Sequence, residues 1–328
     1  MSSPCPNPPS PQISAIICTH NRDRYLGKSI ESLLNQTCAA FEVIVVDNAS
    51  TDRTREVVEP YLVDPHIRPR IRYVYEPQVG LSVARNTGAK LAQAEILAYL
   101  DDDAIASPEW LQILVDAYAE DPKLAIAGGK VTLLWTDGLT APRWLSAGLA
   151  GNLGAYDLGD QVVEIQVPGL TPRGLNYSLR RTFLDQVGGF DLNLGRVGKN
   201  LLSNEELHMT NLALQTGWRV AYLPTAIVAH HVAPERVQRR WFLERGWWQG
   251  ISECYREQLV GEAGLGQLVR GGERLLRGCY KAIKFWRKPA ESFENWVYSY
   301  GQIGYLSKAV QGWLEASPLG TAQKPPVH

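Results

Sequence analysis

Short apolar runs, each cut off at its carboxyl end by a polar cluster and followed by a helix-length amphipathic stretch, constrain this chain most. Ile13-Ser14-Ala15-Ile16-Ile17-Cys18 ends in Thr19-His20-Asn21-Arg22, and a helix with Leu26, Ile30, Leu33 and Leu34 on one face follows. Phe41 to Val46 ends in Asp47-Asn48-Ala49-Ser50-Thr51-Asp52, where Thr51 or Asp52 can cap a helix carrying Val57, Val58 and Leu62. Ile71 to Tyr75 alternates as a third strand, Gly80 to Gly88 opens a helix running to about Ala94, and Ile96 to Leu100 delivers Asp101-Asp102-Asp103 before a helix over Pro108 to Glu120. Strand and helix alternating four times predict a parallel α/β sheet, and such sheets hold ligands at the carboxyl ends of their strands.

Beyond this point the pattern changes. A strand is expected within Ala125 to Trp135 after Gly128-Gly129, a glycine-rich loop with Trp144 over Thr136 to Gly159, and another strand over Gln161 to Val167. Gly174 to Arg181 leads into a helix ended by Gly188-Gly189-Phe190-Asp191. A polar loop over Asn193 to Asn204 reaches Glu205-Glu206 at the start of a helix with Leu207, Leu212 and Leu214. Arg219 to Leu223 reads as a strand, and Pro224 to His231 carries the chain to a histidine pair.

With 328 residues the chain can bury a large core. The organisation expected is a tail over 1–12, an α/β domain over 13–233 and a helical region over 234–328. Lys and Arg total 33 against 34 Asp and Glu, a balance that gives no support for nucleic-acid binding. Five scattered cysteines argue against a disulfide framework and fit a reducing, cytoplasmic compartment. No run approaches the roughly 18 apolar residues of a spanning helix, so membrane contact would be peripheral, on the inner face of the cell membrane. The segment from Leu268 onward interleaves Arg270, Arg274, Arg277, Lys281, Lys284, Arg287 and Lys288 with Leu275, Leu276, Tyr280, Ile283, Phe285 and Trp286. Such a helix either lies on an anionic membrane or packs its apolar face onto the main domain.

Three adjacent carboxylates at a strand end repel one another, and their pKa values rise unless positive charge sits among them. A divalent cation with hard oxygen ligands, Mg2+ or Mn2+, resolves the repulsion. A solvated acidic turn ahead of the next helix is the alternative.

Taken in order, Thr19-His20-Asn21-Arg22, Val46 to Asp52, Gly80-Leu81-Ser82 with Ala84-Arg85-Asn86, Leu100 to Asp103, Gly174 with Asn176, Gly188 to Asp191, Glu205-Glu206 and Pro224 with His230 resemble the family 2 inverting glycosyltransferases. The resemblance covers roughly Gln12 to Glu253 and implies a GT-A-type fold, a mostly parallel central sheet flanked by helices with a helical C-terminal extension. It implies a nucleoside-diphosphate sugar donor, of the UDP or dTDP type, and a base contact from Asp47, whose carboxylate can accept from the imide N–H of uracil or thymine. Thr19, Asn21 and Arg22 would wall the base pocket and Arg85 would touch the nucleotide. Asp103 would ligate the cation, Asp101 would face the ribose or share the metal shell, Asp102 would support them, and His230 would add a metal or diphosphate contact.

Inversion is a direct displacement, so one carboxylate must take the proton of the attacking hydroxyl. The resemblance places this base at Glu206, with Glu205 beside it. Asn176, Arg239, Arg240, Trp241 and Trp248 would meet the diphosphate or the acceptor, a saccharide or lipid-linked saccharide in cell-surface polysaccharide or glycolipid synthesis. A nucleotidyltransferase or a dinucleotide-binding oxidoreductase would show glycines in the turn after the first strand, where this chain has Thr19-His20-Asn21-Arg22. A polyprenyl-phosphate sugar transferase and a non-catalytic nucleotide-sugar-binding module are the remaining alternatives. The acid triplet together with Glu205-Glu206 argues against the binding module.

Overall fold

A computed structural model of the chain describes residues 10–135, 138–198, 200–259, 261 and 264–316. The expected tail lies outside the described residues up to residue 9, as do positions 136, 137 and 199 of the two expected loops. The strands are β1 (Ile13–Thr19), β2 (Phe41–Asp47), β3 (Ile71–Tyr75), β4 (Ile96–Asp101), β5 (Ala104–Ala106), β6 (Leu124–Leu134), β7 (Val163–Glu164), β8 (Asn176–Arg180) and β9 (Arg219–His231). The helices are α1 (Asp23–Leu34), α2 (Thr54–Val63), α3 (Leu81–Leu91), α4 (Trp110–Glu120), α5 (Ala147–Ala150), α6 (Arg181–Val187), α7 (Glu205–Gln215), α8 (Arg239–Leu259), α9 (Leu265–Lys284) and α10 (Pro289–Ala316).

Two compact units divide the chain. The first, residues 1–134, 154–193 and 205–231, holds the whole sheet, in the order β3-β2-β1-β4-β8-β6-β9-β5 with β7 also on β9. The four strands β3, β2, β1 and β4 run parallel, as the alternation predicts, and β6 is parallel to β9. Strand β8 runs antiparallel between β4 and β6, and β5 and β7 run antiparallel to β9. The β-branched residues of β1 and β2 are buried on both faces of the sheet, which is why these runs carry no polar alternation.

Tertiary contacts move several element ends. Helix α3 stops at Leu91, short of Ala94, because Arg181 donates to the carbonyls of Ala89, Ala92 and Ala94 at 2.7–3.0 Å while Ser14 Oγ accepts from the Ala94 N–H at 3.1 Å. Strand β5 was not anticipated: directly after the acid triplet, Ala104 pairs with His230. The strand expected over Gln161 to Val167 shrinks to β7, whose neighbours Val162 and Val167 face solvent. Conversely, β9 runs unbroken through Pro224, with the β6–β9 register shifting between Gly129 and Val131. A Cβ on Gly129 would overlap the carbonyls of Leu223 and Ala226, so the close approach there requires glycine.

The second unit, residues 135–153, 194–204 and 232–328, holds α5, α8, α9 and α10, so it takes in two stretches from inside the expected 13–233 domain. Gly246 and Gly250 on α8 meet Val297 and Gly301 on α10 so closely that a Cβ would strike backbone carbonyls. Trp144, Phe242 and Phe293 meet edge to face at 5.1–6.3 Å between ring centroids. At its centre Glu257 accepts from Tyr305, Gln267 and Arg270.

Candidate active site

The carboxyl ends of β1 and β2 lie side by side, Thr19 opposite Asp47. Asp47 is buried; its Oδ1 accepts from the Ser50 N–H at 2.9 Å and its Oδ2 from the Tyr73 hydroxyl at 2.6 Å. The two following loops are latched by Asn21, whose Oδ1 accepts from the N–H groups of Thr51 and Asp52 at 2.8 and 3.3 Å. Asn21 and Ala49 both adopt left-handed backbone, φ 55° and 58°, a conformation Asn tolerates far better than Ala. The cap residue of α2 is Arg53, one past the expected Asp52, but the Asp52 carboxylate still serves two helix starts: its Oδ1 accepts from the Thr54 N–H at 3.0 Å and its Oδ2 from the Asp23 N–H at 3.1 Å.

Next to β1, β4 brings out the acid triplet, with Asp101 opposite Cys18. The antiparallel β5–β9 pair then returns His230 to the same place, its Nε2 2.9 Å from Asp103 Oδ1. Asp101, Asp103 and His230 each offer a ligand atom within 4.8 Å of the others'. Two carboxylates and one imidazole form a donor set suited to Mn2+ or Mg2+. Arg22 stands 3.9 Å from Asp103 Oδ2. Asp102 is not one of this set, and burial and the Asp103 charge push its carboxyl up to about 7, against the opposing pull of Arg22. Burial likewise pushes the Cys18 thiol up to about 12.

Arg85 is expected to touch the nucleotide; the structure buries it beside the two glutamates. Its Nη1 lies 2.9 Å from Glu206 Oε1 and 3.2 Å from Glu205 Oε1, with side-chain exposures of 3% for Arg85, 4% for Glu205 and 15% for Glu206. Burial opposes the guanidinium charge, and the carboxylates of Glu206, Glu205 and Asp101 outweigh it, holding Arg85 firmly protonated. Its guanidinium also sits over the rings of Phe190 and Tyr99 at 5.3 and 5.8 Å. Phe190 is placed there by Asn86, which donates to its carbonyl and accepts from its N–H, both at 2.9 Å, just after Gly188 ends α6 in left-handed backbone. A Cβ on Gly174 would overlap both Glu206 Oε1 and Arg85 Nη2.

Arg173 was missed by sequence reasoning. It stacks on Tyr156 at 5.3 Å, burial lowers its pKa, and Glu206 is among the groups that favour its charge. Its only sequence signal is its place beside Gly174. Asn176 does not reach a ligand-facing position: it is fully buried, accepting from Trp110 Nε1 at 2.8 Å and donating to the carbonyls of Ala226 and Lys130 at 2.7 and 3.2 Å. Its residue type is explained by core satisfaction. Arg239, Arg240, Trp241 and Trp248 belong to α8 of the second unit. There Arg239 stacks on Phe293 and Trp144 at 5.2 and 5.8 Å, Arg240 pairs with Glu244, Trp241 meets Phe242 edge to face, and the Trp248 carbonyl accepts from Ser252.

The mixed sheet flanked by helices is a GT-A-type fold. Residues 14–173 match the model of "Glycosyl transferase family 2". The glucosyl-dolichyl phosphate glucuronosyltransferase of Haloferax volcanii is 28% identical over 257 residues, covering 77% of this chain and 79% of that protein. A validoxylamine A glucosyltransferase of Streptomyces hygroscopicus is 43% identical over 113 residues, 33% of this chain and 24% of that one. Among solved structures, a mannosyltransferase from Pyrobaculum calidifontis in complex with GDP-mannose and Mn2+ superposes with a TM-score of 0.54 at 19% identity, over 97% of this chain and 81% of its own. GalNAc-T7 with UDP, GalNAc and Mn2+ gives 0.54 at 16% identity, over 76% and 50%. Over residues 14–173, just under half of the chain, the protein is thus similar to the family 2 glycosyltransferases, and its relatives mark it as a glycosyltransferase.

Proposed function

We propose that this enzyme transfers a sugar, with inversion, from a nucleoside-diphosphate donor to a hydroxyl, using Glu206 as the base. The observation that supports the reading is the Arg85 guanidinium, which bridges Glu205 and Glu206 and lies within the field of Asp101. One buried cation thus joins the carboxylates assigned to acceptor activation with those assigned to the donor.

Each residue's part follows from its surroundings. Asp47, fixed by Ser50 and Tyr73, retains lone pairs for the imide N–H of uracil or thymine. Glu206, the more exposed glutamate, accepts the acceptor's proton, and the Arg85 guanidinium at 2.9 Å fixes its direction. Arg22 and Arg173 supply positive charge toward the diphosphate. Asp101, Asp103 and His230 would hold Mn2+ or Mg2+, which supplies Lewis-acid stabilisation of the departing diphosphate. The name of the archaeal relative supports a lipid-phosphate-linked saccharide as acceptor, within cell-surface polysaccharide or glycolipid synthesis.

Thermal shift with uridine, thymidine, guanosine and adenosine diphosphates and Mn2+ tests the donor assignment. Selective stabilisation by the first two is expected, and equal responses to all four would remove Asp47 from base selection. The anomeric configuration of the product, read by proton NMR, tests inversion; a retained configuration would overturn the role of Glu206.

A further inference from the structure

We infer that the outward face of α9 in the second unit is a docking surface for an anionic lipid bilayer. The helix has two unlike faces. Gln267, Gly271, Gly278 and Ala282 are buried, and a Cβ on Gly271 or Gly278 would overlap Tyr305 and Leu306 or Tyr298 and Ser299 of α10. The small residues therefore face the bundle. Leu268 packs against the Cys254, Tyr305 and Ala309 cluster and Leu275 is half-buried, but five other large apolar residues face away: Leu265, Val269, Leu276, Tyr280 and Ile283 are 62–74% exposed, and Trp286, just past the helix end, is 68% exposed. Their spacing places the five helical residues in one stripe. A helix stabilised only by packing would show the opposite arrangement.

Charge identifies the occupant. Arg277, Lys281 and Lys284 line one side of the stripe, continued by Arg287 and Lys288. Residues 265–288 carry seven of the chain's 33 basic residues and one of its 34 acidic ones, leaving 26 and 33 for the remainder. Two of the seven, Arg270 and Arg274, pair with Glu257 and Glu253 of α8, which leaves five basic residues beside the exposed apolar stripe. Lys284 lies 6.0 Å from the Tyr280 ring and Arg287 5.0 Å from the Trp286 ring, the aromatic and basic mixture suited to lipid headgroups. Pairing with a second copy fits less well, because an antiparallel two-fold pair would set the basic row against itself. Among the described residues no helix is long and apolar enough to cross a membrane, so the contact is an in-plane one.

Flotation of the full chain with phosphatidylcholine vesicles containing about 30% phosphatidylglycerol tests the inference, and because no donor is present it succeeds or fails independently of the proposed reaction. The protein is expected to float with these vesicles at least tenfold more than with phosphatidylcholine alone. Leu276→Glu with Ile283→Glu should abolish flotation, and Lys281→Glu with Lys284→Glu should reduce it at least fivefold, with circular dichroism unchanged. Val63→Glu, at an exposed apolar residue of α2, should leave it unaltered. Absence of flotation, or equal flotation with neutral vesicles, overturns the inference. So does a dimer, seen by light scattering, that the Leu276 and Ile283 changes dissociate while vesicle binding is absent.

Discussion

Glu206 Oε1 lies 2.9 Å from Arg85 Nη1, although the two residues are 121 positions apart and come from different helices, α7 and α3. The same nitrogen meets Glu205 Oε1 at 3.2 Å. One guanidinium thus holds two adjacent carboxylates, Glu205 at 4% and Glu206 at 15% side-chain exposure.

Glu206→Gln should lower the transfer rate about 10²- to 10⁴-fold, the usual contribution of a positioned base, while donor affinity by calorimetry stays within about twofold of wild type. Glu205→Gln should weaken stability more than chemistry, since its carboxylate is the more buried of the two. A variant that loses transfer at Glu205 and keeps it at Glu206 would exchange their roles.

Gly174→Ala should be as damaging as a change in the glutamates themselves. Its Cβ would occupy space held by Glu206 and Arg85, and forcing that pair apart should cost about 1–3 kcal/mol in urea unfolding, as overpacking does, together with most of the activity. Gly138→Ala is a poor control because of its left-handed φ of 75°, whereas Gly169→Ala, with open space around it, should be silent in both measurements.

Within the acid triplet, Asp101 and Asp103 join His230 in the ligand set and Asp102 does not. Asp101→Asn and Asp103→Asn should abolish Mn2+-dependent transfer and weaken Mn2+ binding measured by electron paramagnetic resonance. Asp102→Asn should retain Mn2+ binding within a few-fold.

The second unit should lose stability in acid through Glu257. Burial raises its pKa, but hydrogen bonds from Tyr305, Gln267 and Arg270 and the charge of Arg274 outweigh burial and hold the carboxyl below its ordinary value. A depressed carboxyl contributes stability that is complete above the unfolded pKa of about 4.3 and is lost as pH falls through the lower folded value. The stability difference between wild type and Glu257→Gln, read by urea unfolding of the full chain, should therefore be constant from pH 7 to about pH 5 and vanish on further acidification.

The alternating half of the fold was readable because each strand there declares itself locally. Ile13 to Cys18, Phe41 to Val46 and Ile96 to Leu100 are runs of strand length, apolar except for Ser14 and Glu42, and helix-length stretches separate them. The second half was harder for equally local reasons. Strand β5 is three residues long and is defined only by its pairing with β9, and β9 crosses a proline that ordinarily ends a strand. Asn176 carried a motif position and a polar amide, yet those are consistent with a core partner of Trp110 as well as with a ligand contact.

By itself the sequence determined the parallel sheet edge, the acid triplet at its centre and the paired glutamates, since residue type and spacing along one strand or helix are enough to specify each. Tertiary structure alone decided what those groups face. Only the return of β9 beside β5 brings His230 to Asp103, and only the packing of α3 near α7 sets Arg85 against Glu206. The same holds for α9: its amphipathic pattern is local, but which face is covered depends on glycines fitting against α10. The physical reason is common to all three. A carboxylate, guanidinium or apolar face acquires its role from the charges and surfaces within a few ångströms of it, and residues far apart in the chain supply them.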